Sequence, residues 1–195
     1  MARGSHNYAR NAAVLHTLTC IFYILNRIFG IISGASVFST VTNILFAAAM
    51  GFALVCSFLA HVSGLARAGY ILFHVLLFIA PVSEIVTLLI LLSEGIMSTE
   101  LIVTSIVSFV CGILLIVAFA MALRRAGRRA VQLRFVALII LCIAYTVEII
   151  IVVVQLAKDP SLAKMATWSL LTYFSYVLAY FCYGAFTDQQ RHIGQ

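Results

Sequence analysis

Long apolar stretches separated by short breaks constrain this chain more than any other feature. Between Ala12 and Phe186 the sequence contains several apolar stretches of roughly 20 residues, the length that a helix needs to cross the hydrocarbon core of a bilayer. We expect about six such spans, with breaks too short to hold a soluble domain. Their approximate ranges are 12–34, 38–60, 68–93, 101–123, 134–157 and 166–187. The sequence therefore predicts an all-α, polytopic integral membrane helix bundle in which residues 1–195 form a single transmembrane domain.

The composition excludes an ordinary soluble domain. Hydrophobic residues make up 64% of the chain and charged residues 9%, whereas a soluble domain is about half apolar and about a quarter charged. The cysteines form no CxxC pair, so we expect neither a zinc site nor redox chemistry. His16 and His74 are the one histidine pair that could ligate a haem axially, but packing is the simpler interpretation. We therefore expect no cofactor.

The basic residues indicate how the chain is oriented in the membrane. An even number of spans places both termini on one side, with Lys158 and Lys164 on the other. The arginines on the side of the termini are Arg3, Arg10, Arg67, Arg124, Arg125, Arg128, Arg129, Arg134 and Arg191. Because basic loops stay in the cytoplasm, we expect both termini to be cytoplasmic. The net charge of +6 is thus explained by topology, and we expect no nucleic-acid partner.

Three charged residues fall inside the predicted spans: Arg27, Glu84 and Glu148. Burying one charge in a bilayer costs roughly 3 kcal/mol or more, so such residues usually face the bundle interior and pair. With a rise of about 1.5 Å per residue, Arg27 lies roughly 10 Å and each glutamate roughly 13 Å from the outer end of its span. We therefore expect one polar layer near the midplane. Arg27 would neutralise one glutamate, and the other would be protonated, bind a cation or share the guanidinium.

Neighbouring residues at helical spacing extend this layer. Pro81 lacks the N–H that would bond the carbonyl of Leu77, so it should kink the third span close to Glu84. Tyr145 lies one turn before Glu148 on the fifth span. Polar or small residues also form rows on other spans, namely His16, Cys20, Tyr23 and Gly30 on the first, and Thr104, Ser105 and Ser108 on the fourth.

The sixth span carries a row of tyrosines, and a tyrosine hydroxyl in an apolar layer needs a hydrogen-bond partner. The predicted site residues are Glu84 and Glu148 as proton donors or carriers, Arg27 as their charge partner, and Tyr145, Tyr173 and Tyr176 as pocket lining. Small and hydroxyl residues also serve as ordinary packing contacts between membrane helices, which is the structural alternative.

Three short motifs are spread along the chain: Arg27-Ile28-Phe29-Gly30, Ser63-Gly64-Leu65-Ala66-Arg67, and the basic segment from Arg124 to Arg134. Their order resembles that in a group of small fungal multi-pass membrane proteins of unknown function. The resemblance implies a fungal origin and a seven-helix-like bundle, and it implies no activity. A looser similarity, by analogy alone, is to fungal membrane-bound terpene cyclases, which use buried acidic residues to protonate an isoprenoid.

These features leave three functions open. The first is a carrier or channel that moves protons or a small or lipophilic substrate across or within the membrane. The second is a membrane-embedded, terpene-cyclase-like enzyme in which a buried glutamic acid protonates an isoprenoid or lipid and tyrosine faces stabilise a carbocation. The third is a structural or sorting protein. Expected partners are the lipid bilayer, a lipophilic small molecule, and a second copy of the chain that Gly30 and Gly34 would let approach.

Overall fold

Six long helices account for almost all of the described chain. The computed structural model describes residues 2–33, 37–59, 63–93, 99–123 and 127–193. The helices are α1 (Ala2–Ser33), α2 (Val37–Phe58), α3 (Ser63–Ser93), α4 (Thr99–Leu123), α5 (Gly127–Lys158) and α6 (Ala163–Ile193), with a single 3₁₀ turn at Pro160–Leu162 before α6. All six helices are long and apolar enough to cross a membrane. The predicted fold class is confirmed, since the described residues contain neither a strand nor a soluble domain.

Several helices continue past the apolar spans at one end of the bundle. The structure begins α1, α3 and α5 earlier, and ends α6 later, than the predicted spans. The reason is that hydropathy marks only the part of a helix that lies in hydrocarbon, whereas the backbone hydrogen bonds continue equally well in water. We call this end the basic end, because it carries the exposed side chains of Arg10, Arg67 and Arg129.

The helices form a closed ring with an aromatic interior. Each helix packs against its neighbours in the sequence, and α1 closes the ring by packing along α6. Side chains such as Tyr23, Phe73 and Leu77 are fully buried in the interior. The outer surface is apolar as well: Phe58 and Phe181 are 70% and 69% exposed. Lipid solvates such a surface, whereas water does not. The protein is therefore an integral, multi-pass membrane protein.

Two glycines let neighbouring helices approach closely. A Cβ at Gly69 would collide with the Cβ of Cys56, so α3 lies directly against α2 at this level. A Cβ at Gly112 would lie 2.8 Å from Cγ2 of Val82 and 3.1 Å from Cβ of Pro81. Small residues permit such contacts between membrane helices. Gly112 thereby lets α4 pack closely against the proline-containing turn of α3, near the centre of the bundle.

Candidate functional site

Pro81 interrupts the backbone hydrogen bonding of α3 inside the bundle. Because proline has no N–H, the carbonyl of Leu77 loses its donor within the helix. In the structure the hydroxyl of Tyr180 donates to that carbonyl oxygen at 3.0 Å. One residue earlier, the hydroxyl of Tyr23 donates to the carbonyl oxygen of Leu76 at 3.2 Å. Side chains from α1 and α6 therefore hold the interrupted part of α3 from two sides.

Arg27 lies in a polar and aromatic socket between α1, α2 and α6. Its side chain is only 7% exposed. Nη1 donates to Oδ1 of Asn43 at 3.1 Å, and Nη2 donates to the hydroxyl oxygen of Tyr176 at 2.7 Å. The guanidinium carbon also lies 4.8 Å from the ring centroid of Tyr23 and 5.2 Å from that of Phe46. Such cation–π contacts gain strength away from water. These hydrogen bonds and cation–π contacts stabilise the charged guanidinium of Arg27 inside the protein.

Two buried asparagines were not among the predicted site residues: Asn43, which belongs to this socket, and Asn26, which precedes Arg27 on α1. Nδ2 of Asn43 lies 3.4 Å from the hydroxyl of Ser39, and a Cβ at Gly30 would lie 2.8 Å from the same Nδ2 atom. Gly30 therefore makes room for a side chain of its own chain. Asn26 is buried and donates to the carbonyl oxygen of Thr172 on α6 at 2.9 Å. A buried amide needs partners, so asparagines in apolar spans were a usable signal in the sequence.

The predicted pocket-lining tyrosines form a stack between α5 and α6. The rings of Tyr145 and Tyr176 are nearly parallel, at an angle of 8°, with centroids 4.7 Å apart. The rings of Tyr173 and Tyr180 stack on that of Tyr145 at 6.2 Å and 6.3 Å. On α4, the hydroxyl of Ser108 donates to the hydroxyl oxygen of Tyr145 at 3.5 Å. The stack therefore connects the arginine socket, through the hydroxyl of Tyr176, to α4 and α5.

Glu148 on α5 is buried at 7% exposure. Its Oε1 atom has no hydrogen-bond partner among the described residues, so neither Arg27 nor another described donor forms a hydrogen bond to it. The pairing of Arg27 with Glu148 stays a prediction. Glu84 lies on α3, but its side chain falls outside the described residues, and a pairing of Arg27 with Glu84 stays a prediction.

Buried hydroxyl groups of α4 lie beside the part of α5 that carries Glu148. Both Ser105 and Ser108 are buried, and Thr104 is half-buried. The two helices are antiparallel neighbours, and Ser108 contacts Tyr145. Ser105 and Glu148 each lie about one turn from this contact in the direction away from the basic end. The two residues are therefore at a comparable depth.

His74 lies in an aromatic cluster between this site and the basic end. Its Nδ1 atom lies 2.9 Å from the carbonyl oxygen of Tyr70 and must donate, because a carbonyl only accepts. Its ring stacks on that of Phe119 at 4.8 Å, and Nε2 has no partner among the described residues. His16 packs on Phe73, whose ring also contacts His74. Among the described side chains, no group of three His, Cys, Asp or Glu residues could hold a metal ion.

Comparison with known proteins identifies no relative of the chain. No family model matches it, and no curated protein or solved structure matches it significantly. The resemblance to small fungal membrane proteins therefore stays an expectation.

Proposed function

We propose that this protein moves protons, alone or together with a small lipophilic substrate, through the membrane, and that Glu148 carries the proton. The observation that carries this proposal is the buried Oε1 atom of Glu148, which has no hydrogen-bond partner among the described residues. Ionisable residues inside a bilayer are costly and rare, and they mark proton and substrate pathways. A carboxyl oxygen with no partner can accept and release a proton without breaking a hydrogen bond within the protein.

Hydroxyl groups beside Glu148 supply the rest of a route. Ser108 and Tyr145 share a hydrogen bond of 3.5 Å, and Ser105 lies one turn farther along α4. A hydroxyl both donates and accepts hydrogen bonds, which is what a proton relay requires of its members. Arg27 is the fixed positive charge at the other side of the tyrosine stack.

The tyrosine stack favours transport over the enzymatic alternative. Stabilising a carbocation requires an aromatic face that a substrate can reach. Tyr145 and Tyr176 cover each other with centroids 4.7 Å apart, so a substrate would first have to separate them. The cleft that opens between α5 and α6 lies at the basic end and is lined by neither tyrosine.

The exposed charges support the expected orientation in the membrane. Arg10, Arg67 and Arg129 are exposed at the basic end, whereas Lys158 and Lys164 are exposed at the opposite end. By the positive-inside rule, we propose that the basic end, and with it both termini, faces the cytoplasm. A thiol reagent that does not cross membranes would test this proposal in intact cells. It should label a Lys164→Cys variant and spare an Arg129→Cys variant, and the reverse pattern would refute the orientation.

Proton flux through reconstituted protein tests the proposed function. Purified protein would be placed in liposomes that contain a pH-sensitive dye, and a potassium diffusion potential would drive protons inward. We expect the wild type to acidify the lumen. Glu148→Gln keeps the shape of the side chain and removes the exchangeable proton, so its flux should fall to that of empty liposomes.

Two matched variants make this test specific. Glu148→Asp keeps the carboxyl group and should retain part of the flux. Thr146→Val changes an exposed position on the same helix and should leave the flux unchanged. If Glu148→Gln conducts protons as well as Thr146→Val, Glu148 is not the carrier. If wild-type liposomes equal empty ones while the protein is folded, the transport proposal itself is wrong.

A further inference from the structure

Two buried polar atoms lie next to each other in the half of the bundle towards the basic end. They are Nε2 of His74 on α3 and the hydroxyl oxygen of Tyr183 on α6, and neither has a hydrogen-bond partner among the described residues. His74 is 1% exposed and Tyr183 is fully buried. Their rings meet edge to face with centroids 5.6 Å apart. Burying polar groups without partners is costly, so packing alone does not explain this pair.

The two atoms are complementary in their hydrogen-bonding chemistry. Because Nδ1 of His74 donates to the carbonyl oxygen of Tyr70, Nε2 of the neutral ring carries a lone pair and accepts. The hydroxyl of Tyr183 can both donate and accept. His16 on α1 and Arg134 on α5 also lie near enough to His74 to interact with it electrostatically. Imidazole and hydroxyl groups in contact with water are the groups that shuttle protons in proteins.

A cleft with a volume of about 370 Å³ leads from the basic end towards this pair, between α5 and α6. Its lining includes polar side chains such as Gln132, and a polar site of this size holds several water molecules. Gly184, the residue after Tyr183, lines its deeper part. Arg134 lines the cleft as well and interacts electrostatically with both His74 and Tyr183. The cleft therefore approaches the buried pair from the side of the water.

Buried hydroxyl groups continue from the pair towards Glu148. Tyr183 and Tyr180 are both buried and lie one turn apart on the same face of α6. The ring of Tyr180 stacks on that of Tyr145 with centroids 6.3 Å apart. Tyr145 in turn shares a hydrogen bond with Ser108, beside Glu148. Hydroxyl groups thus follow one another from the inner end of the cleft to the proposed proton carrier.

We propose that His74 and Tyr183 form the entrance of the proton pathway at the basic end, reached by water through the cleft. This inference rests on the proposed proton transport by Glu148 and adds the half of the route that leads to the basic end. A proton from the cleft binds to Nε2 of His74, and its release to the oxygen of Tyr183 restores the neutral ring. Tyr183 releases its own proton as it accepts this one, so it ends each transfer unchanged. Water molecules between successive tyrosines complete the relay, because hydroxyls one turn apart are too distant for a direct hydrogen bond.

Proton flux into dye-filled liposomes tests the entrance. Tyr183→Phe removes a hydroxyl that has no partner in the described part of the bundle, so the melting temperature should not fall, whereas the flux should fall to that of empty liposomes. His74→Phe keeps an aromatic ring in the cluster, removes both nitrogens and should lose the flux as well. Tyr70→Phe is the matched control. Its ring stacks on that of His74, but its hydroxyl is hydrogen-bonded to Gln190, so this variant should conduct as the wild type does.

Two substitutions at one position test the role of the cleft. A Cβ at Gly184 would meet only Cδ1 of Leu138, at an ordinary 3.5 Å, so side chains can be added there while the helices stay in place. Gly184→Leu should fill the cleft and abolish the flux. Gly184→Ala should leave room for water and retain the flux, and equal flux in both variants would contradict the proposed way in.

The outcomes separate this inference from the proposed function. If Glu148→Gln is inactive while Tyr183→Phe and His74→Phe conduct as the wild type does, the entrance is wrong and the role of Glu148 stands. If Glu148→Gln conducts as the wild type does, the proposed function itself fails.

A readout at Glu148 shows where Tyr183→Phe acts. In detergent both ends of the bundle meet water, so the carboxyl band of Glu148 in the infrared spectrum should still respond to pH in Tyr183→Phe. A lost response would contradict the entrance, because the substitution would then act on Glu148 itself. A lowered melting temperature of Tyr183→Phe would contradict it too, because the hydroxyl would then have a structural partner.

Discussion

Tyr180→Phe removes one hydroxyl and keeps the aromatic ring, so it isolates the contact between α6 and the proline turn of α3. In the wild type this hydroxyl donates to the carbonyl oxygen of Leu77 at 3.0 Å. That carbonyl has no donor within its own helix, because residue 81 is a proline. A buried acceptor left without any partner costs about 1–3 kcal/mol. Hydrogen bonds between membrane helices average about 0.6 kcal/mol with a maximum of about 1.7 kcal/mol.

The two ranges overlap near 1.5 kcal/mol, so we expect Tyr180→Phe to lower the free energy of unfolding by about 1.5 kcal/mol. Pro81→Ala restores an N–H that can bond the carbonyl of Leu77. In that background the hydroxyl of Tyr180 becomes redundant, and its removal should cost only about 0.6 kcal/mol. The double-mutant cycle should therefore show a coupling of about 1 kcal/mol between the two positions.

Reversible unfolding in mixed micelles with increasing SDS, followed by circular dichroism, measures these free energies. Tyr23→Phe is the matched control. Its hydroxyl donates to the carbonyl of Leu76, which in a continuous helix also accepts from the N–H of Ala80. Its loss should have the same cost with or without the proline. If Tyr180→Phe costs the same in both backgrounds, the argument that Tyr180 replaces the missing backbone donor is refuted.

Three further predictions concern other parts of the bundle. Gly69→Ala places a methyl group against α2 and should destabilise the protein by about 1–3 kcal/mol in the same unfolding assay. Gly51→Ala should not destabilise it, because a Cβ at Gly51 would have no other atom within 4 Å. Equal effects of the two variants would refute the close approach of α3 to α2. Asn43→Leu removes an acceptor from the buried guanidinium and should cost about 1.5–3 kcal/mol; an unchanged stability would show that the contact contributes nothing. The hydroxyl and amide of Ser161 donate to Asp159 and hold the pKa of that carboxyl below its usual range. The 3₁₀ turn should therefore be fully formed above the usual aspartate pKa and lost as the pH falls through the lowered value, seen as a loss of protection of the Ser161 amide relative to an unprotected amide at the same pH. Exchange with no dependence on that titration would contradict this reasoning.

The number of helices and their approximate bounds could be predicted, because the hydrocarbon core of a membrane requires each spanning segment to be helical and sets its minimum length. A spanning segment must satisfy its backbone internally, so apolar length translates directly into helix length. The consequence of Pro81 for Leu77 could also be predicted, because it depends only on covalent structure. The buried stripe of His16, Cys20, Tyr23 and Arg27 on α1 likewise follows from helical periodicity.

The partners of the polar residues could not be predicted in the same way. Which side chain of α2 meets Arg27 depends on how the two helices are rotated about their axes, and Gly30 sets this rotation by admitting Asn43. Periodicity identifies the buried face of each helix but not its angular match to a neighbour. For the same reason, depth alone placed Arg27 and Glu148 in one layer, whereas the structure leaves Oε1 of Glu148 without a described donor. The roles of Glu84, Glu148 and the tyrosines stay predictions.

The central claim is that Glu148 gains and loses a proton while the protein works. Infrared difference spectroscopy of reconstituted protein during a pH step reports this directly, because a protonated carboxyl group has a C=O band that the carboxylate lacks. We predict that this band rises and falls reversibly in the wild type and that Glu148→Gln removes the changing component. If the changing carboxyl signal is the same in the wild type and in Glu148→Gln, Glu148 does not carry protons and the proposed function is wrong.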